Sequence, residues 1–126
     1  MQFQHFDYFH AMPTPWGKAD YKYSLLPGVF EVGTPGHGGI MVGKAQARKI
    51  LSDKAIKLGT EWNQYITFEE DCQWALFVYE QPELYAKFWK EKNPIMTSEK
   101  PEAYTPEAWK ESARQTILRW EPEYFI

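Results

Sequence analysis

The stretch YKYSLLPGVFEVGT, residues 21–34, decides the fold. Its first run begins by alternating, Pro27-Gly28 interrupts it, and the second run alternates again. Val29, Glu31 and Gly33 fall on one side of that second run, opposite Phe30, Val32 and Thr34. A period of two marks a strand, so the stretch reads as a hairpin. Pro-Gly suits a type II turn better than the primed turns of tight hairpins, which predicts a loop longer than two residues. The apolar run GIMV, residues 39–42, predicts a third strand.

Beyond Gly43 the period changes. KAQARKIL favours a short helix, and SDKAIKLG adds another turn that Gly59 ends. TFEE, residues 67–70, has the form of a capping box and predicts a helix starting at Thr67. Phe68, Cys72, Ala75, Leu76 and Tyr79 would form its stripe, widened by Trp74, Phe77 and Val78 until most of the helix is covered. Pro82 starts or kinks the next helical segment, PELYAKFWKEK, and NPIMTSEKPEAY reads as a polar connection. A last helix is expected from Pro106, behind a Thr105 cap, to Trp120, with Trp109, Ala113, Ile117 and Trp120 as its core stripe. The fold class is α+β, a small antiparallel sheet from the N-terminal half packed against three to four C-terminal helices. Residues 1–126 form one domain, with residues 1–14 an aromatic arm packed on it.

Composition narrows the classes of function. The 126 residues are 17% aromatic, including six Trp, which gives a short chain much apolar surface to bury. A net charge of −3 leaves no excess of cations to displace phosphate counterions, so no direct nucleic-acid signal is present. A single cysteine, Cys72, excludes an intrachain disulfide and fits a reducing compartment. No basic n-region followed by an apolar stretch and no run of about 18 apolar residues is present, so neither a signal peptide nor a membrane span is expected. Cytoplasmic localisation is the expectation.

The chemistry-bearing residues cluster in two places. TPGHGG, residues 34–39, surrounds His37 with glycines. These explain a non-repetitive turn through positive φ, or let a ligand approach bare backbone, with amides forming an anion nest and His37 exchanging a proton. FEED carries Glu69, Glu70 and Asp71. In a first helical turn they would complement the macrodipole; alternatively one of them orients His37 or acts as a base with it. Gly38-x-x-x-x-Gly43-Lys44 imitates a phosphate-binding loop, but Ala45 stands where a Ser or Thr must hold Mg²⁺. A metal would need His37 with His5, His10, Asp71 or Cys72, none of which has zinc-type paired spacing, so no metal and no cofactor is expected. Cys72 as a nucleophile with His37 as base is outweighed by its apolar setting.

Several segments then line up with a known pattern. PWG (15–17), PGVFEVGTPGHGGI (27–40), FEEDCQWA (68–75) followed by PE, and TILRWEPEYF (116–125) resemble, in order, a family of uncharacterised domains labelled DUF7007. The resemblance covers nearly everything after residue 14. It marks Trp16, Gly17, His37, Gly38, Gly39, Glu69, Glu70, Asp71, Trp74, Trp120 and Pro122, while Phe68 stands where the family often has Tyr. It implies an origin in phages, plasmids and other bacterial mobile elements, and names no reaction.

With no complete catalytic constellation, the expectation is a small accessory protein acting by binding. Its partner would be a host protein or a small polar or anionic ligand, in the manner of a counter-defence inhibitor. His37, Gly38, Gly39, Glu69, Glu70 and Asp71 are the candidate binding residues. No catalytic residue is assigned; a hydrolase or nucleotide-processing enzyme would use His37 with Glu70 or Asp71, and a virion structural or assembly role is a further alternative, with oligomerisation left open. Trp16, Trp74 and Trp120, all in the family-like segments, are expected to meet in one core.

Overall fold

The computed structural model describes residues 6–7 and 12–126. Of the proposed arm, residues 1–5 and 8–11 lie outside that set, and with them His5 and His10. Strands β4 (Tyr21–Leu26) and β5 (Val29–Gly33) form the expected hairpin, flanked on the outer side by β1 (Phe6–Asp7). The loop is shorter than expected. Leu26 pairs directly with Val29, Gly28 takes φ +81°, and the register shifts between Ser24 and Leu26. A bulge at Leu25 thus absorbs the mismatch between a Pro-Gly turn and the twist of the strands. β6 (Gly38–Gly43) adds the third strand.

The chain then leaves the sheet through α1 (Lys44–Ile50) and α2 (Asp53–Leu58), the latter capped by Ser52, whose Oγ accepts from the Ala55 amide. It returns as a second hairpin, β7 (Thr60–Trp62) and β8 (Tyr65–Glu69), turning at Asn63 in the left-handed region with φ 53°. β8 inserts beside β6, giving an antiparallel sheet in the order β1-β4-β5-β6-β8-β7. The sheet therefore extends past the N-terminal half. The predicted capping box is overturned: Thr67 is a strand residue paired with Met41 and Thr60, its hydroxyl donating to the Thr60 carbonyl. A helix cap is worth about 1 kcal/mol, whereas strand pairing here buries Ile66 and Phe68 side by side with Val42 and Ile40. Burying each such side chain is worth about 1.5–3 kcal/mol, so packing decides.

The helical layer is α3 (Trp74–Glu80), α4 (Pro82–Lys92), α5 (Pro94–Glu99) and α6 (Pro106–Trp120), with 3₁₀ turns at Pro101–Tyr104 and Pro122–Phe125. Proline opens α4, α5 and α6, where its missing N–H is no loss. That makes much of the expected polar connection helical. The α6 boundaries agree with the sequence, and the Thr105 hydroxyl accepts from the Ala108 amide. The α+β class stands.

Two apolar clusters flank the sheet. The larger joins Tyr23, Ile40, Val42, Ile66 and Phe68 to Leu76, Phe77 and Ile117 of the helices. The smaller, on the other face, holds Met12, Ala19, Val32 and Met41 beneath the β2 (Pro13–Thr14) and β3 (Gly17–Lys18) hairpin, with Trp16 against it. This separates the tryptophans expected to meet. Trp16 packs on one face, Trp74 on the other, and Trp120 is 57% exposed at the end of α6. Of the predicted α6 stripe, Ala113 and Ile117 are buried.

Candidate functional site

The turn that carries His37 is closed from within. Thr34 Oγ donates to the His37 carbonyl (2.7 Å) and accepts from the His37 amide (3.1 Å), while the Thr34 amide donates to the same carbonyl. The glycines after it are not a loop. Gly38 and Gly39 are buried in β6, paired with Gly33 and Val32, and neither has positive φ. Their reason is close approach. A Cβ on Gly38 would lie 2.6 Å from the Val32 carbonyl oxygen, and one on Gly39 would lie 2.4 Å from that of Phe68 and 2.6 Å from Trp16. An anion nest of bare amides is therefore not what these residues build. The same strand removes the phosphate-loop imitation, and Lys44 pairs with Glu61.

Pairing of Gly39 with Glu69, and of the Glu70 amide with the Gly38 carbonyl, sets the acidic stretch beside the His37 turn. The three carboxylates then part company. Donor atoms of His37, Glu69 and Asp71 lie within 4.8 Å of one another, with Glu69 Oε1 also accepting from the Asp71 amide. His37 and Asp71 are exposed. Among the described residues, these three are the group that could hold a divalent ion. Ligands about 2.1 Å from a tetrahedral metal sit roughly 3.4 Å apart, so a spread reaching 4.8 Å would have to contract around one. Glu70 turns to the opposite side, its Oε2 near the space a Gly38 Cβ would occupy.

There it meets a cavity of about 320 Å³ lined by Glu31, Gly39, Ile40, Glu70, Trp74, Tyr85 and Trp109. Neither His37, Glu69 nor Asp71 lines it. Glu31 is the group the sequence reading missed as a site. It occupies a core-facing position of β5, in one row with Tyr23, Ile40 and Phe68, where an apolar residue would be ordinary. Its Oε2 accepts from the Tyr21 hydroxyl (3.0 Å), and Oε1 lies 3.2 Å from Lys92 Nζ, which also spans to the Tyr21 oxygen and covers the Tyr21 ring. The readable signal was a carboxylate on the same side of an alternating strand as Val29.

Burial pushes the Glu31 carboxyl above its ordinary range; Lys92 and the Tyr21 bond pull it down and Glu70 adds to the upward push. Burial, and then the Glu31 charge, raise the phenols of Tyr21 and Tyr85, which stay neutral donors. The Cys72 thiol is also pushed up, by partial burial and by Glu69. A thiol so placed is a poor nucleophile, because the thiolate is the reactive form. Glu70 accepts no hydrogen bond and forms no ion pair among the described residues.

Fold and site together define a small α+β domain with an aromatic, carboxylate-bearing pocket where the sheet meets the helical layer. The chain belongs to the family described as a domain of unknown function (DUF7007), which matches residues 10–126. Comparison with curated proteins and with solved structures gives no match. Among the described residues, no helix is long and apolar enough to cross a membrane.

Proposed function

We propose that this protein acts by binding, and that the pocket at Glu31 and Glu70 is where a polar group of its ligand or partner is held. One observation carries the reading: two carboxylates and three aromatic rings converge on a single cavity between the sheet and the helical layer. Its volume falls at the lower end of the usual 300–1,000 Å³ for small-molecule pockets. The setting is the one the family resemblance implies, an accessory protein of a phage or plasmid in a bacterial cytoplasm, where capture of a host component would serve as inhibition. The enzymatic alternative draws on the grouping of His37 with Glu69 and Asp71. It is the weaker reading, because that grouping does not line the cavity and Glu70 points away from it.

Binding is tested by titrating small cationic, anionic and neutral polar compounds while following tryptophan fluorescence and the melting temperature. A saturable change with at least one class, weakened in Trp74→Ala or Glu70→Gln, supports the proposal. Flat titrations with all three classes at millimolar concentration would overturn it.

A further inference from the structure

We infer that the pocket recognises an organic cation, an ammonium or guanidinium group; the inference rests on the binding reading above and names its ligand class. The argument begins with a charge count. Two carboxylates line the cavity, and Lys92 is held against one of them, Glu31. Glu70 receives neither a hydrogen bond nor an ion pair among the described residues. Among the described residues the two lining carboxylates outnumber the one cation held against them, and Glu70 is open to solvent at the mouth of the cavity. A single cation entering the cavity neutralises it, whereas an anion would add a like charge beside Glu70 and Glu31.

The apolar part of the lining suits the same occupant. Trp109 stands nearly perpendicular to Trp74 (centroids 6.4 Å, 87°) and to Tyr85 (4.8 Å, 77°), so the cavity wall offers rings in more than one plane. Ring faces attract cations within about 6 Å, Trp most strongly, and more so once water is excluded. The fold already uses this contact next door: Lys92 Nζ lies 4.8 Å from the Tyr21 ring centroid and 5.5 Å from that of Phe88. Gly38 lies directly beside Glu70: a Cβ there would stand in van der Waals contact with Glu70 Oε2, at 3.4 Å. The cavity, about 320 Å³, has room for such a cationic headgroup.

The test compares choline with 3,3-dimethyl-1-butanol, a neutral molecule of nearly the same shape, by calorimetry on the intact protein. Methylguanidinium, putrescine and acetate are further arms. We expect saturable binding of at least one cation, with choline favoured at least tenfold over its neutral isostere if the group is quaternary. Methylguanidinium or putrescine is favoured instead if N–H donors to Glu70 dominate. Acetate should give no heat. Glu70→Gln, checked for folding by circular dichroism, should weaken the cation at least tenfold. Equal binding of the neutral isostere and every cation, or saturable binding of acetate, would overturn the cation inference while leaving the pocket as a binding site. Absence of binding in every arm would overturn both.

Discussion

Gly36 and Gly39 lie three positions apart and answer to different constraints. Around Gly36 a Cβ would meet nothing within 4 Å, while at Gly39 it would strike the Phe68 backbone and Trp16. Gly36→Ala should leave stability within about 0.5 kcal/mol. Gly39→Ala has to part β6 from β8 or displace Trp16, and overpacking of this kind costs about 1–3 kcal/mol or more. Urea denaturation of the two variants checks the contrast. Glu31 carries a prediction about pH. Its folded-state carboxyl is raised above its ordinary value, so just above that value the folded chain keeps a proton the unfolded chain has lost. Stability from this group is therefore present in acid and lost as pH rises through the raised value. Glu31→Gln should flatten that part of the stability profile just above the ordinary carboxyl value, measured by denaturation at a series of pH values; an unchanged slope would reject the assignment. Among the described residues the hydrogen bonds of His37 run from its backbone to the hydroxyl and amide of Thr34, and His37→Ala, which keeps them, should leave the thermal melt nearly unchanged.

At the scale of elements, two caps and one carboxylate fix where helices begin and how they dock. Thr105 caps α6 as its sequence implies, and Thr105→Ala should cost about 1 kcal/mol in denaturant unfolding, with Thr105→Ser recovering most of it. Glu80, at the end of α3, accepts from the Ser52 amide (2.7 Å), the Ser52 hydroxyl and the Tyr124 hydroxyl. It thereby ties the start of α2 and the C-terminal turn to the central helix. Hydrogen bonds to a charged group contribute about 1.5–3 kcal/mol, so Glu80→Ala should lower stability by about 2–3 kcal/mol and Glu80→Gln by less. The acidic stretch after β8 has no such capping duty, because α3 begins only at Trp74, and that frees Glu70 for the cavity.

Across the whole molecule, the sheet separates two cores, and single substitutions should report on which side they fall. Phe68 is fully buried between the sheet and α3, and Phe68→Ala should cost about 3–5 kcal/mol and threaten folding. Trp120→Ala should be tolerated within about 0.5 kcal/mol, since the ring is mostly exposed beside Arg119. A melt showing the reverse order would contradict this arrangement.

What the sequence determined by itself is local. The alternation of residues 21–34, the Thr105-Pro106 start of α6 and the Gly59 stop of α2 each depend on neighbours a few positions away, and these elements stand where the pattern puts them. Only the tertiary structure decided the state of residues 65–69 and the site. Thr67 carries a helix-start pattern, yet β6 offers a partner edge that buries Ile66 and Phe68, a contact no local window contains. In the same way Glu31, Glu70, Lys92 and Trp109 come from four distant segments, and their convergence depends on sheet register and helix docking. Register sends Glu70 to the cavity and Glu69 to His37, because neighbouring residues along an extended chain face opposite sides of the sheet.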